Sequence, residues 1–266
     1  MKRKSSSAVP TVSNPVPSEL RIIPIPVRGE ITPGDSIAGT LLQALQPLKL
    51  AFATGDILVI KHKIISKAEG QIVDLDSITP SSSSVAWARK YKVDARVVEL
   101  ALREGRAIIH RKNGVLITET RHGFIFANSG VDVSNVDGGK HALLLPVDPD
   151  RSARKIHREL KKHTALFIPV LITDTFGRPW REGLVDYCIG IAGMKAHRDD
   201  RGRRDPHGYT LHASFEAVAD ELAAAAGLVC GKLHRTPACI IRGFAYEPAR
   251  GRTRELLRPP ASDLFR

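Results

Sequence analysis

The chain has 266 residues, with 40 lysines and arginines against 28 acids and a formal charge of +12 at pH 7. A hydrophobic fraction of 42% and a charged fraction of 26% mark a folded globular chain, long enough for one large domain or two intimate subdomains. No apolar run reaches the roughly 18 residues of a membrane helix, and the opening MKRKSSSAVPTVSNPVP lacks a secretory signal's apolar stretch, so a cytoplasmic protein is expected.

Residues 1–18 are basic and rich in Ser and Pro, and are expected to form a mobile tail before a single domain over 19–266. LRIIPIPV (20–27) reads as a strand interrupted by prolines, hence an edge strand. DSIAGTLLQALQ (35–46) is a helix with Asp35 as candidate cap, and DILVIKHKIISKAEG (56–70) opens as a buried strand and ends as a polar loop. SSSSVAWARKY and DARVVELALREG are two capped helices. Residues 106–130 hold three short strands with turns at Asn113-Gly114 and near Gly123, a meander. DPDRSARKIHRELKKHT (148–164) is a helix with Asp at its start and Lys near its end, matching the helix dipole. The apolar strand ALFIPVLITD follows, then TDTFGRPWREG (173–183) as a loop, LVDYCIGIAG (184–193), a polar stretch over 197–214, a long helix over 215–231 and the strand ACIIRGF (238–244). Strands and helices mix without a βαβ rhythm, so the expected class is α+β, mixed sheets with packed helices.

Cys188, Cys230 and Cys239 sit in apolar settings without CxxC spacing and read as reduced core thiols. The histidines form neither HxH nor HExxH, which argues against zinc. The positive charge suits a nucleic-acid binder, a pocket for phosphorylated small molecules or a solvated basic surface. Aromatics are only 5% of the chain and do not interleave with basic residues, which argues against single-stranded nucleic acid.

Four polar stretches directly follow apolar runs, the usual place for sites. KHKIISKAEG (61–70) offers three lysines as movable charges for phosphate oxygens, or else a solvated strand end. ANSGVDVSNVDGG (127–139) has small residues for close backbone approach, Asp132 as a hard oxygen ligand for Mg²⁺ or Mn²⁺, and Ser134 and Asn135 as hydrogen-bonding groups, although an Asx-rich turn would look the same. In TDTFGRPWREG, Asp174 and Thr175 put a carboxylate beside a hydroxyl, as in sites where a metal meets nucleotide phosphates. Arg178 and Arg181 can grip phosphate or carboxylate bidentately, and are read as catalytic residues together with Asp174. LVCGKLHRTPA (228–238) is a loop after a glycine helix end that could wrap a nucleotide. Two separated acids between basic loops are equipment for phosphoryl transfer.

Taken in order, ISKAEG (65–70), NSGVDVSNVDGG (128–139), LITDTFGRPWREGLVDYCIGIAG (171–193), DDRGRRDPHGYTLHAS (199–214) and VADELAAAAGLVCGK (218–232) resemble one family, the coenzyme F420-0 gamma-glutamyl ligases of the CofE type. The resemblance covers about residues 20 to 266. It implies a GTP- and divalent-metal-dependent enzyme that adds L-glutamate to the carboxylate of the deazaflavin F420-0 through an acyl phosphate. It also implies an intertwined homodimer, two Mg²⁺ or Mn²⁺ ions per site and potassium as an optional ion. By position, Asp132 and Asp174 correspond to ligands of the first metal and Thr175 to a ligand of the second. Gly29, Glu30, Ile31, His62, Lys63, Lys67 and Asn135 fall where the family contacts GTP. So do Gly231, Lys232, Leu233, His234 and Arg235. Lys232 stands where some members carry an acidic metal ligand, and His62–Lys63 replaces small hydroxyl residues of some relatives. In some relatives a nitroreductase-like flavin domain follows the ligase domain; ELLRPPASDLFR stands where it would begin, so ligase chemistry alone is expected. A related amide ligase with another carboxylate acceptor, and a non-catalytic basic nucleotide- or RNA-binding module, are the competing readings.

Overall fold

The computed structural model describes residues 19–134, 136–231 and 233–264, so the expected basic tail over 1–18, Asn135 and Lys232 lie outside the described residues. The first elements are β1 (Arg21–Ile25), α1 (Ile37–Leu45), β2 (Ile57–Lys61) and α2 (His62–Ala68). Two sequence expectations change here. Ser36, not Asp35, caps α1 through its hydroxyl, while the Asp35 carboxylate accepts from the Thr32 amide at 2.7 Å and closes the preceding turn. HKIISKA is a helix rather than a polar loop, because His62, Ile64, Ile65 and Ser66 turn one face into the core and only the lysines need solvent.

Next come β3 (Ile72–Asp74), α3 (Ser82–Tyr91), α4 (Ala95–Glu104), β4 (Gly105–Lys112), β5 (Val115–Thr120), β6 (Ile125–Ala127), β7 (His141–Leu143) and α5 (Pro149–Thr164). The expected caps hold: Ser81, Asp94 and Asp148 each accept from the first turn of their helix. The meander is present, with sheet order β4-β5-β6. Its first turn places Asn113 and Gly114 both at positive φ, 50° and 82°, as a two-residue hairpin turn requires.

The remainder is β8 (Val170–Arg178), β9 (Arg181–Ala192), β10 (Arg198–Asp199), β11 (Phe215–Glu216), α6 (Val218–Gly227) and β12 (Ala238–Arg242). TDTFGR is therefore strand, not loop, and the turn is confined to Pro179 and Trp180. The β8 strand outlasts its apolar run because β9 supplies a partner for every one of its residues. Conversely, the long helix expected over 215–231 shrinks to α6, since Phe215–Glu216 pairs with β10.

The central sheet has the order β1-β12-β2-β8-β9, with β2 and β8 parallel and the other pairs antiparallel. Pro24 within β1 fits its edge position, as expected. Both faces are covered. Leu58 and Ile60 of β2 and Val170 and Ile172 of β8 pack with α1 and α5, whereas Ile57, Val59 and Leu171 pack under Val218, Leu222 and Ala226 of α6. A strand buried on both sides needs the continuous apolar run ILVI. The class is thus α+β, with three smaller sheets beside the central one among the described residues. All three cysteines are buried and unbridged, and burial drives the Cys188 thiol far from ionisation.

Candidate functional site

The site is assembled where β2 ends beside β8. Parallel pairing sets Lys61 opposite Thr173, and α2 begins at the next residue. Alternation sends Lys61, with Val59 and Ile57, toward the α6 side. There its ammonium pairs with the Asp186 carboxylate and lies 3.4 Å from Thr175 Oγ1. Thr175 Oγ1 donates to the other Asp186 oxygen at 2.5 Å. Asp186 is Thr175's register partner across the β8–β9 hairpin, so the sheet itself fixes this contact. Its side chain is 3% exposed and that of Lys61 19%, so the pair is screened from water on most sides. Gly227, at the end of α6, lets the helix approach: a Cβ there would stand 2.9 Å from Asp186 Oδ2.

His62 and Lys63, the first two residues of α2, receive the two expected metal acids. His62 Nε2 lies 3.2 Å from Asp174 Oδ1 but has no aligned hydrogen-bond acceptor among the described residues. The same Asp174 oxygen accepts from the Thr175 amide at 2.7 Å. Lys63 Nζ lies 2.7 Å from Asp132 Oδ2 and donates to Ser134 through both Oγ at 2.8 Å and the backbone oxygen at 3.1 Å. Asp132 also accepts from the Ser134 amide at 2.6 Å. Burial raises the affinity of Asp132 for a proton, but the bonds from Lys63 and Ser134 outweigh it and hold the carboxyl below its usual range. Two acids 42 positions apart in sequence therefore meet consecutive residues of one helix.

The donor set suits a hard cation: carboxylates and a hydroxyl bind Mg²⁺ or Mn²⁺ through oxygen. Among the described residues, no three His, Cys, Asp or Glu side chains stand together as a metal cluster. The lysine ammoniums occupy Asp132 and Asp186 instead. A buried, unaligned His62 nitrogen beside Asp174 is the local sign of a polar site that the protein's own side chains do not saturate.

The loops expected to contact a nucleotide adjoin this cluster. Lys67, one turn along α2, donates to Glu30 at 3.0 Å, and Arg235 reaches the other Glu30 oxygen at 4.0 Å. The backbone closes the same junction, with the Val27 amide donating to Arg235 oxygen at 3.0 Å. Gly29 has φ +91°, a conformation that favours glycine. Ile31 is buried in the core, so only its backbone is available to a ligand. In the other loop, Leu233 is exposed, and Gly231 lies against the His234 ring. Arg178 and Arg181 sit at the hairpin's far end. Arg178 Nη2 donates to Glu182 oxygen at 3.0 Å, its Nε is buried with no hydrogen-bond partner among the described residues, and Arg181 is exposed. Arg178 is four residues along β8 from Asp174, about 13 Å at strand rise, and shares its face.

Asp186 escaped the sequence reading. The available signal was a lone acid between apolar residues in LVDYCIG, a position that is costly unless paired.

The sequence profile of the F420-0:gamma-glutamyl ligase family matches residues 27–243, which contain the whole cluster. The chain belongs to this ligase family. It is similar to the coenzyme F420:L-glutamate ligase of Methanopyrus kandleri, 41% identical over 252 residues that span 93% of this chain and 98% of the relative. It also matches the enzyme of that name from Methanothermobacter thermautotrophicus, at 45% identity over 88% of this chain and 93% of the relative. A third, from Methanocaldococcus jannaschii, is 42% identical over 80% of this chain and 85% of the relative. Among the described residues no helix is long and apolar enough to cross a membrane.

Proposed function

We propose that this member of the ligase family joins L-glutamate to the carboxylate of F420-0 in the cytoplasm, at the expense of GTP, as a step in making coenzyme F420. The observation that carries the reading is the meeting of Asp132 and Asp174 on His62 and Lys63, flanked by the Lys61–Asp186–Thr175 triad. A carboxylate is a poor electrophile at neutral pH. Attack of its oxygen on the γ-phosphorus of GTP expels GDP and leaves an acyl phosphate. The glutamate amine then attacks the acyl carbon, a proton leaves the nitrogen, and phosphate departs as the amide forms. Asp132, Asp174 and Thr175 would hold one or two Mg²⁺ or Mn²⁺ ions, which neutralise charge on the transferring phosphoryl group. Lys63, free to swing from Asp132, and Lys67 and Arg235, free to leave Glu30, bring positive charge to the triphosphate. Asp186 keeps Lys61 and the Thr175 hydroxyl in place. The excess of positive charge favours encounter with both anionic substrates. A homodimer is part of the same proposal and is checked by light scattering.

The deciding experiment incubates the pure protein with F420-0, GTP, L-glutamate and Mn²⁺ or Mg²⁺, and weighs the products. A mass increase of one or more glutamyl residues, with acceptor-dependent phosphate release, supports the reading. Phosphate release only with a different carboxylate acceptor would reassign the substrate, and tight RNA binding without turnover would replace the enzyme reading.

A further inference from the structure

The chain is poor in aromatics, with eight phenylalanines and four tyrosines, yet four of these twelve line one cleft. Phe124 and Phe126 of the β5–β6 hairpin stack at 5.3 Å and 13° between planes. Phe126 meets Phe176 of β8 at 4.2 Å, and Phe176 stacks on Tyr187 of β9 at 4.1 Å and 24°. Leu256, Leu257, the exposed Arg258 and the acids Asp220 and Asp263 also line it. The cleft encloses about 220 Å³, below the roughly 300–1,000 Å³ of a complete ligand pocket, as suits a subsite for one part of a larger molecule. Phe124 and Phe126 are buried, whereas Phe176 and Tyr187 are partly exposed and line the cleft.

Its place relative to the acid cluster follows from register. Phe176 is two residues beyond Asp174 and points to the same face, and Tyr187 is Asp174's direct partner across the hairpin. Two strand residues span about 7 Å, so the cleft adjoins the proposed phosphoryl-transfer centre. We propose that the cleft walled by Phe126, Phe176, Tyr187 and Leu257 seats the planar ring system of the acceptor, leaving its carboxylate end to the Asp174 cluster. This deepens, and rests on, the reading of a deazaflavin acceptor. Stacked ring faces at the edge of a sheet recognise a flat conjugated system through its π-face, with apolar desolvation adding to the attraction. The guanidinium of Arg258 at the rim can stack over such a ring or meet a polar edge group.

The test titrates the full-length protein, without nucleotide or metal, with F420-0 and with a deazaflavin ring fragment lacking phosphate and carboxylate, following ring fluorescence. Tyr187→Leu and Phe176→Leu keep bulk but remove a flat face. Each is expected to weaken both probes about ten-fold and to raise the KM for F420-0 similarly, with the KM for GTP within about two-fold of wild type. A ring fragment that does not bind the wild type, or binds both variants as tightly, overturns the assignment. Wild-type turnover with the KM for F420-0 unchanged in both variants does the same while sparing the ligase reading. Absence of any glutamyl product from a wild type that binds the ring fragment through Tyr187 fails the ligase reading and supports the cleft.

Discussion

Removing the Asp186 carboxylate should separate the structural from the chemical role of the Lys61–Asp186–Thr175 triad. In Asp186→Ala the Lys61 ammonium, only 19% exposed, loses its counter-charge, and the Thr175 hydroxyl loses the acceptor that it meets at 2.5 Å. Breaking a buried pair from one side costs about 3–5 kcal/mol, because the surviving charge stays desolvated. In a chain of this size 1 kcal/mol moves Tm by roughly 2–4 °C, so a fall of about 6–20 °C is expected. Lys61→Met strands the carboxylate instead and should fall by a similar amount. The double variant Lys61→Met/Asp186→Val strands neither charge, since apolar groups fill the space, and should recover most of the lost stability. Its ligase activity should stay at least about 100-fold below wild type, because the charge that positions Thr175 is gone. Differential scanning calorimetry and product formation read the two effects separately. A double variant as unstable as either single, or a single within about 2 °C of wild type, would refute the argument that desolvation governs this pair.

Asp132→Asn and Asp174→Asn should each lower glutamyl-product formation at least about 100-fold while Tm changes by only a few degrees, because each amide keeps the shape and an acceptor oxygen for Lys63 and for the Ser134 and Thr175 amides; wild-type turnover in both would remove the metal assignment. Gly227→Ala presses a Cβ to 2.9 Å from Asp186 Oδ2, and overpacking of this kind costs about 1–3 kcal/mol, so lower Tm and lower activity should appear together. Arg178→Lys and Arg181→Lys keep charge but lose the fork, and reduced kcat/KM in either supports a grip on an anionic group, whereas unchanged kinetics in both excludes it. Glu99, held by the Ser81 amide and hydroxyl, Ser84 and Arg103, has its carboxyl lowered to about 2. A depressed folded-state value contributes stability above the unfolded pKa of about 4.3 that is lost as pH falls toward 2. The Tm gap between wild type and Glu99→Gln should therefore close over that interval in an acid titration, and a gap independent of pH would contradict it.

The element plan was legible in the sequence wherever one local rule sufficed. Ser81, Asp94 and Asp148 cap the helices they precede, Asn113-Gly114 turns its hairpin, and the ILVI and VLIT runs are the buried centre of the sheet. Asp132, Asp174 and the lysines of 61–70 stood out as candidates because polar stretches directly after apolar runs are where sites gather, and the fold brings both acids to the start of α2. What no local rule contains is pairing at long range. TDTFGR reads as a loop by composition and becomes strand only because β9 lies beside it. HKIISKA becomes a helix only because the core receives His62 and Ile65. Asp186 acquires a role only through register, which sets it across from Thr175 and within reach of Lys61, 125 residues earlier. The aromatic cleft likewise gathers rings from β6, β8, β9 and their neighbouring loops. Helix caps and turns depend on neighbours in sequence, so the chain alone determined them. The contacts among distant strands depend on which surfaces the core brings together, so only the folded structure decided them.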